Sequence, residues 1–423
     1  MTERPTLIRY AALSWLALAA GLAYLCRNAV GVVESTIRTD LGLSLDESGW
    51  CMSAFFWSYA VLQIPAGSLS AKWGTRLTMA AFAVAWSLAS IAIGLAPGFW
   101  MIVIAQLVMG ASQAGIFPAS INSIGHWMPM SERSFSCGVL AAGMQLGAIA
   151  ASCLTGALVA DVGWRWVFAI FALPGFVWTI AFLLRFHDRP EQDPKVSAEE
   201  LAIITGDRPI PAKVVEGNAP PDGFWMLALQ PAVLWLCGQQ ICRAAGYMFF
   251  ASWFPTFLQK TRGISVEHSG YMQALVLGGS LAGSLCGGML TDWVWRKTGS
   301  LRLSRSLVGG GFLMTCAVLI LSAWFVESAN LAVTLLAAGA LVAGLAGPSA
   351  LAATIDLGGR QVPQVFGLMN MTGNIAAALC PILVGRLFAL TGNWNLVLLL
   401  FAGIYLLGAM CWAFIKPGAV REV

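Results

Sequence analysis

The chain is dominated by apolar stretches that are long enough to cross a lipid bilayer as helices. A membrane-spanning helix needs about 20 predominantly apolar residues. We place such stretches at residues 11–34, 48–70, 76–96, 99–121, 134–160, 164–185, 224–258, 268–294, 303–325, 329–353, 362–390 and 395–415. The composition agrees, because 58% of the 423 residues are hydrophobic and only 10% are charged, which is far from the averages of soluble domains. We therefore predict an all-α membrane protein with twelve transmembrane helices.

A polar segment separates the sixth and seventh apolar stretches. Residues 185–222 are rich in proline and charge, as expected for a linker. Within it, Ser197-Ala-Glu-Glu200 has the spacing of a capping box, which predicts one short surface helix. We predict an N-terminal six-helix half at residues 1–186, a cytoplasmic linker at 187–222, and a C-terminal six-helix half at 223–423.

The positive charges predict the orientation in the membrane. Most of the 24 Lys and Arg residues fall in the loops that are cytoplasmic when the N-terminus is cytoplasmic, and cytoplasmic loops carry the excess of positive charge. We expect both termini in the cytoplasm of a bacterium and a multi-pass protein of the inner membrane, with the lipid bilayer as its main partner.

Several protein classes are disfavoured by the same composition. The net charge of +4 is spread over loops and forms no basic patch for nucleic acid. The ten cysteines all lie in apolar stretches, so we interpret them as packing residues and not as a disulfide framework. The sequence has no nucleotide-binding motif, zinc-ligand spacing or catalytic triad, so we expect no metal, no cofactor and no enzymatic activity.

One short turn occurs in both halves. The first copy is Gly67-Ser-Leu-Ser-Ala-Lys-Trp-Gly-Thr-Arg76, after the second apolar stretch, and the second is Gly287-Gly-Met-Leu-Thr-Asp-Trp-Val-Trp-Arg-Lys297, after the eighth. A G-x-x-x-D-x-x-x-[RK] turn at both positions is the signature of the major facilitator superfamily, which this chain resembles over its full length. The resemblance implies two pseudo-symmetric six-helix halves.

The resemblance also implies a gating role for parts of these turns. The expected gating residues are Gly67, Arg76, Gly288, Asp292 and Arg296. The first copy departs from the pattern, because Ala71 stands where an aspartate is expected. We therefore expect weaker gating contacts in the N-terminal half.

Further motifs resemble one family within this superfamily, the anion:cation symporters. The matching segments are residues 53–67, 117–119, 127–133, 163–168 and 252–258. Members of that family carry sugar acids such as hexuronates and hexonates, and its animal relatives carry sialic acid, glutamate and phosphate. The resemblance implies a small anionic substrate.

Arg27 lies inside the first apolar stretch, in Tyr24-Leu-Cys-Arg-Asn-Ala-Val-Gly31. A cation at such a position costs ~2.5 kcal/mol or more. The symporter family usually has Asp-Arg here, which implies that Arg27 contacts a substrate carboxylate with its planar fork of donors. The alternative is a structural arginine that binds carbonyls of a neighbouring helix or pairs permanently with an acid.

Three residues that are usually charged in the family are neutral in this chain. Cys26 stands at the position of the proton-coupling aspartate, and Gln106 and Gln113 replace an arginine and a glutamate of the fourth helix. Because glutamine does not titrate, proton coupling through the usual pair is not expected. The candidates for coupling that remain are Cys26 and Glu34. The alternative for Cys26 and Gln113 is neutral packing. The alternative for Glu34 is a solvated charge at the helix end, and for Glu34 we favour this alternative.

A second intramembrane cation, Arg243, lies in the seventh apolar stretch. Arg243 and Tyr247 are four residues apart and share a helix face. A pair of arginines on the first and seventh helices resembles the phosphate site of organophosphate:phosphate antiporters, although alignment on the following Trp-x-Pro places Tyr247 at that arginine's position. The alternative is that Arg243 extends to the cytoplasmic surface.

Other polar residues within apolar stretches suit a hydroxyl-bearing anion. The resemblance places substrate contacts at Tyr59, Gln113, Gln145, Asn370 and Asn374. Each of them has the alternative role of an interhelical hydrogen bond. The patterns Gly143-x-x-x-Gly147 and Gly279-x-x-x-Gly283-x-x-x-Gly287 predict close helix packing.

These observations predict a monomeric secondary carrier for a small organic anion such as a sugar acid, working by alternating access. A secondary active and a facilitative mechanism both stay open, with a proton or a counter-anion as the candidate co-transported species. Two alternatives remain at this stage. One is an exchanger of phosphate-like or phosphorylated anions, and the other is a membrane sensor that uses a transporter fold.

Overall fold

The computed structural model describes residues 5–206, 223–248, 250, 254–263, 266–326, 328–393 and 395–416, and the regular elements within these ranges are all helical. Residues 207–222 of the predicted linker lie outside the description. Among the described residues, nine helices are long and apolar enough to cross a membrane. This agrees with the predicted all-α membrane class.

Eight described α-helices precede the linker and one lies within it, and most of them fall on the predicted apolar stretches. They are α1 (Ile8–Val32), α2 (Glu34–Asp40), α3 (Leu45–Val61), α4 (Gln63–Trp73), α5 (Thr75–Gly94), α6 (Phe99–Gln113), α7 (Ile116–Trp127), α8 (Arg133–Arg185) and α9 (Ala198–Gly206). Two predicted spans are built from consecutive helices, α3 with α4 and α6 with α7. Proline is the third residue of both α4 and α7, where its missing N–H favours the start of a new helix.

Within α8, the backbone leaves helical geometry at Gly163, which has a φ of 76°. Glycine adopts this left-handed conformation without the strain that a β-carbon would add. The break separates the predicted spans 134–160 and 164–185, which both lie in α8. The chain therefore reverses at this glycine and not at a long loop.

The helices after the linker are again those of a membrane protein. They are α10 (Gly223–Ala228), α11 (Pro231–Met248), α12 (Phe254–Arg262), α13 (Val266–Thr298), a π-helix (Arg302–Leu307), α14 (Val308–Trp324), α15 (Ala329–Gly358), α16 (Val362–Thr391) and α17 (Asn395–Phe414). The prediction of one continuous span at 224–258 was wrong at its start, because α10 ends at Ala228 and α11 begins at Pro231. Proline suits the first position of a helix, where no N–H partner is needed.

The chain divides into two compact units. The first consists of Met1–Pro129, Val139–Lys213 and Arg360–Gly367, and the second of Met130–Gly138, Val214–Gly359 and Leu368–Val423. The first turns of α8 thus belong to the second unit, while the rest of α8 belongs to the first.

In the first unit, α1 packs closely on α8 through glycines. A β-carbon on Gly143 would lie 2.5 Å from the carbonyl oxygen of Ala17, and one on Gly147 would overlap the backbone of Gly21. Nearby, Trp178 stacks on Phe182 with 4.3 Å between ring centroids. The predicted packing role of Gly143 and Gly147 is confirmed.

In the second unit, α13 packs on α15 by the same principle. A β-carbon on Gly283 or Gly287 would overlap the backbone of Leu341 or Leu345, respectively, and one on Gly279 would lie 3.5 Å from the Ala337 carbonyl oxygen. Small residues let helix backbones approach in a membrane, where van der Waals contact replaces the hydrophobic effect. The predicted packing role of these glycines is confirmed.

The short linker helix α9 is bound to the start of α1. The Glu200 side chain is fully buried, and its carboxylate accepts hydrogen bonds from the Thr6 hydroxyl and from the backbone N–H groups of Ile8 and Arg9. The predicted capping box is therefore only half formed. Ser197 Oγ accepts from the Glu200 N–H at 3.2 Å, but the Ser197 N–H donates to Thr6.

Helix α2 was not predicted, and its C-terminal end is anchored by charge. Asp40 pairs with the Arg165 guanidinium and accepts a hydrogen bond from Trp164 Nε1 at 3.2 Å. Hydrogen bonding to Arg165, with a smaller contribution from Trp164, lowers the pKa of Asp40 below its usual value. Asp40 thus ties α2 to the segment of α8 that follows Gly163.

Candidate functional site

Arg27 lies among aromatic rings in the first unit. Its Cζ is 4.4 Å from the ring centroids of both Tyr24 and Phe55, 5.6 Å from that of Phe56, and 5.4 Å from that of Tyr59. Tyr24 lies one turn before Arg27 on α1, and the other three rings lie on α3. We call these four rings the aromatic cage of Arg27.

The cage holds the cation without neutralising it. Cation–π contacts attract a guanidinium to ring faces within about 6 Å and contribute about 0.5–2 kcal/mol each. In the part of the chain that the structure describes, the guanidinium has no acidic partner and no hydrogen-bond acceptor. Arg27 is half-buried, so its N–H groups remain available to an anionic ligand.

Tyr59, a predicted substrate contact, is part of this arrangement. Its ring stacks on that of Phe55 with a centroid distance of 5.4 Å and an interplanar angle of 20°. Tyr59 is 6% exposed. The structure therefore brings together Arg27 and Tyr59, which the sequence analysis assigned to the same site from separate helices.

Cys26 and Gln113 are bonded to backbone carbonyls of the same unit. The Cys26 thiol donates to the carbonyl oxygen of Phe171 at 3.4 Å, and Gln113 Nε2 donates to that of Ala23 at 3.0 Å. Both side chains are almost fully buried, with 1% and 2% exposure. Gln113 thus links α6 to α1 one turn before Arg27, which matches the alternative of an interhelical hydrogen bond.

Arg243 has a neutral polar partner in the second unit. Its Nε and Nη2 donate to Oε1 of Gln240, one turn earlier on α11, at 3.1 and 2.9 Å. The hydroxyl-bearing rings of Tyr247 and Tyr405 lie within electrostatic range of the guanidinium. Both bonds go to one neutral amide oxygen, so these contacts do not cancel the positive charge of Arg243.

Gln240 connects Arg243 to α16. A β-carbon on Gly373 would lie 2.9 Å from Cγ and Nε2 of Gln240, so the glutamine side chain lies against this glycine. Asn374 follows directly, and its Nδ2 is buried with no hydrogen-bond partner in the described part of the chain. Asn370 lies one turn earlier on the same helix. We call Gln240, Arg243 and Asn374 the Arg243 cluster.

Three other predicted site residues have less defined surroundings: Gln145, Tyr247 and Glu34. Gln145 is half-buried on α8, between Gly143 and Gly147, and Tyr247 is half-buried on α11. Glu34 is the first residue of α2, but its side chain lies outside the described residues. Among the described residues, Gln145 has no contact with Arg27 or Arg243, whereas Tyr247 lies within electrostatic range of Arg243.

Asp292, in the second copy of the repeated turn, caps the first turn of α8. Its carboxylate accepts from the backbone N–H groups of Ser134 and Phe135 at 3.2 and 2.8 Å. Gly288 makes this approach possible, because a β-carbon there would lie 2.5 Å from the Ser134 carbonyl oxygen. An acidic group at a helix N-terminus is favoured by the free N–H groups and by the helix dipole.

Two buried arginines extend this cap into a charged network. Arg305, in the π-helix, is fully buried and pairs with Asp292 at 3.5 Å and with Asp356 at 3.1 Å. Arg133 pairs with the other oxygen of Asp356 at 3.1 Å. Arg305 Nη1 also donates to Ser134 Oγ at 2.9 Å. We call Arg133, Asp292, Arg305 and Asp356 the charge network of the second unit.

The sequence analysis assigned Arg296, not Arg305, to this turn. The structure places Arg296 at the exposed end of α13, where the described residues give it no acidic partner. Arg305, Arg133 and Asp356 were missed as parts of the network. The sequence signal that could have found them is weak. Each of the three is a charged residue near the end of a predicted apolar stretch.

The first copy of the turn is built without an acid. A β-carbon on Gly67 would lie 2.6 Å from the carbonyl oxygen of Pro363, so Gly67 allows a close backbone contact, as Gly288 does in the second copy. Arg76 donates from Nε to the carbonyl oxygen of Leu183 at 3.1 Å, and its backbone N–H donates to Asp188 at 2.7 Å. Arg76 therefore connects α5 with the end of α8 inside the first unit.

Comparisons with known proteins agree with this architecture. Residues 16–357 match the family model of the Major Facilitator Superfamily. The chain is 27% identical over 410 residues to a probable sulfoacetate transporter of Cupriavidus necator, covering 97% of this chain and 94% of that protein. It is 28% identical over 410 residues to a hexuronate transporter of Bacillus subtilis, with coverages of 95% and 94%. A solved structure of the human organic anion transporter MFSD10 covers 96% of this chain and 99% of its own, with a TM-score of 0.70 at 15% identity.

The apolar helices and these matches define a multi-pass membrane transporter and not an enzyme. The chain belongs to the Major Facilitator Superfamily. The class and the fold that the sequence motifs implied are thereby confirmed.

Proposed function

We propose that this protein is a secondary carrier for a small organic anion and that it works by alternating access in a bacterial inner membrane, with both termini in the cytoplasm. The observation that carries the proposal is the arginine at position 27, held by four aromatic rings and free of any acid among the described residues. A desolvated cation without a counter-charge is costly, and a bound anion removes that cost.

The relatives support the same substrate class. Their names state sulfoacetate and hexuronate as substrates, and both compounds are small acids with a carboxylate. A guanidinium binds carboxylate, sulfonate and phosphate oxygens through paired N–H donors. We assign this role to Arg27, with Tyr59 as a neighbouring hydroxyl donor.

We assign a second anion contact to the Arg243 cluster. Among the described residues, its guanidinium donates to the amide oxygen of Gln240, and Asn374 offers a buried, unused donor. Asn370 and Tyr247 lie one helical turn from Asn374 and Arg243, respectively. Hydroxyl groups of a sugar acid are suitable partners for these amide and phenol groups.

Coupling to protons through the family's usual positions is not part of the proposal. Cys26 and Gln113 occupy those positions, and both are bonded to backbone carbonyls. Since glutamine has no titratable proton, we expect transport to follow the substrate gradient, a counter-anion or the membrane potential.

We propose a gating role for the charge network of the second unit. It joins the first turn of α8 to α13, α15 and the π-helix through buried charge pairs. Such pairs are strong only while their geometry is intact, which makes them suited to stabilise one conformation of a carrier. In this proposal Gly288 and Asp292 have the gating role expected from the sequence, and Arg305, which pairs with Asp292, is the cationic partner in place of Arg296.

The test is binding followed by uptake. Purified protein is screened by thermal shift against sugar acids, sulfonated carboxylates and phosphorylated compounds, because a ligand raises stability by RT ln(1 + [L]/Kd). The best ligand is then supplied in labelled form to proteoliposomes. We expect accumulation inside the vesicles. Binding without accumulation would favour a sensor, and a preference for phosphorylated compounds would favour the exchanger.

Arg27→Lys and Arg27→Ala make the assay specific. Both variants should lose binding while keeping the unfolding temperature of the free protein, because lysine retains the charge but not the planar fork. Arg296→Gln, at the exposed end of α13, is the matched control and should bind normally. Unchanged affinity in the lysine variant would show that the fork does not hold the ligand.

A further inference from the structure

Two thiols meet where α11 crosses α17 in the second unit. The side chains of Cys242 and Cys411 are within hydrogen-bonding distance of each other. Both are only partly buried. Neither has a role in the anion contacts described above, and both were interpreted from the sequence as packing residues.

Two glycines bring the backbones together at this crossing. A β-carbon on Gly238, one turn before Cys242, would lie 3.1 Å from the Cys411 sulfur. A β-carbon on Gly408, one turn before Cys411, would lie 3.0 Å from the Cys242 β-carbon. A disulfide needs β-carbons about 3.5–4.5 Å apart and sulfurs that face each other. The two glycines provide the close approach of the helices, and the two thiols lie within hydrogen-bonding distance of each other.

Other cysteines of the unit are differently placed. Cys380 donates to the Ala245 carbonyl oxygen at 3.3 Å, and Cys316 is fully buried. Cys242 and Cys411 instead combine a thiol partner with partial exposure. Partial exposure makes these two thiols accessible to a small reagent.

We propose that Cys242 and Cys411 form an oxidisable dithiol that closes to a disulfide between α11 and α17. The oxidant is a membrane-permeant two-electron acceptor, either a diazene or an organic hydroperoxide. With a diazene, the two thiols give up two electrons and two protons, the S–S bond forms, and the N=N bond is reduced to a hydrazine. With a hydroperoxide, the O–O bond breaks and the products are the disulfide, an alcohol and water.

Closure would fix the part of α11 that carries the Arg243 cluster. Cys242 adjoins Arg243 in sequence and lies between it and Gln240. A covalent bond to α17 restrains this turn of α11 relative to α17. This expectation rests on the proposed carrier function. Formation of the disulfide should slow transport, because alternating access requires helices to shift against one another.

The experiment counts thiols. Protein in lipid nanodiscs is treated with diamide, quenched, denatured and labelled with N-ethylmaleimide, and its intact mass is measured. The reduced chain has ten cysteines, so ten labels are expected before oxidation and two fewer afterwards. Fragment spectra should identify the peptides of α11 and α17 as linked, and a phosphine should restore all labels.

Single variants assign the bond. Cys242→Ser and Cys411→Ser should lose no label on oxidation, whereas the matched control Cys237→Ser, on the same helix, should still lose two. Full labelling of the oxidised wild type, or loss of two labels in Cys242→Ser, would overturn the proposal.

Uptake by proteoliposomes separates this inference from the carrier function. Diamide should slow wild-type uptake several-fold and leave Cys242→Ser unchanged. Closure without slower uptake would refute the restraint on transport. Absent uptake in the reduced wild type would refute the carrier function, while the label count would still decide the dithiol.

Discussion

Glu200 and Arg9 are 191 residues apart in sequence, yet the Glu200 carboxylate accepts hydrogen bonds from both the backbone N–H and the guanidinium of Arg9, at 3.0 and 3.4 Å. A helix of the linker thus supplies the N-terminal cap of the first transmembrane helix. The first four N–H groups of a helix have no partner within it. Glu200 provides an acceptor for two of the N–H groups at the start of α1.

We predict that Glu200→Gln destabilises the protein by about 1–3 kcal/mol, because the amide leaves buried donors without an acceptor. Thermal unfolding of the purified protein in detergent measures the effect. Glu199→Gln is the control, since Oε2 of Glu199 has no hydrogen-bond partner in the described structure. Equal unfolding temperatures for the two variants would mean that the cap contributes nothing.

We predict that Phe55→Leu weakens anion binding. The ring centroid of Phe55 is 4.4 Å from Arg27 Cζ, and its loss removes one cation–π contact of about 0.5–2 kcal/mol, equivalent to roughly a two- to thirty-fold rise in Kd. Calorimetry with the best ligand of the screen gives this value. Phe56→Leu should have a smaller effect, because its ring is 5.6 Å from Cζ and 55% exposed. The opposite order would contradict the proposed cage.

We predict that Arg305→Gln costs about 3–5 kcal/mol, because it leaves the carboxylates of Asp292 and Asp356 buried without their shared cation. Denaturation in a graded detergent series reports the loss. Arg296→Gln, expected to change stability little, is the comparison that distinguishes the observed network from the pattern predicted by the turn motif. A larger loss in Arg296→Gln would restore the sequence-based assignment.

We predict that wild-type uptake responds weakly to an imposed proton gradient, because the family's coupling acids are replaced by Cys26 and Gln113. Reconstituted vesicles are compared with and without an inward proton gradient, at constant voltage and constant substrate ionisation. Strong acceleration by the gradient would refute this prediction and direct attention to Glu34 or another acid. The double variant Cys26→Asp with Gln113→Glu tests the same logic by restoring two titratable groups.

The membrane class, the helices and the packing glycines could be predicted from the sequence because each depends on local composition. About 20 apolar residues determine a span, and a glycine every fourth residue marks a close helix contact, as Gly143 and Gly147 show. Breaks such as the one before Pro231 were harder to predict, because apolar residues continue on both sides. The composition of a segment indicates whether it lies in lipid or in water, but it does not indicate where its helix breaks.

The site was predictable only in part. Arg27 and Tyr59 were assigned to one site and lie within one aromatic cage, but Phe55 and Phe56 were not singled out, because a ring near a cation cannot be distinguished from a lipid-facing ring by sequence. Asp292 was identified by its turn motif, whereas its partner Arg305 was missed. An ion pair of this kind forms only if two helices become neighbours in the fold. The sequence of one helix does not reveal which other helix will pack against it.

The aromatic cage has an electrical consequence for a carrier. The four rings carry no formal charge, so the cage does not cancel the charge of Arg27 when the site is empty. A bound monoanion, as proposed, cancels one of the two positive charges of Arg27 and Arg243, and a dianion cancels both. The membrane potential acts by about 2.3 kcal/mol for each elementary charge moved across 100 mV. The valence of the substrate would then decide how strongly voltage acts on the loaded carrier compared with the return of the empty carrier.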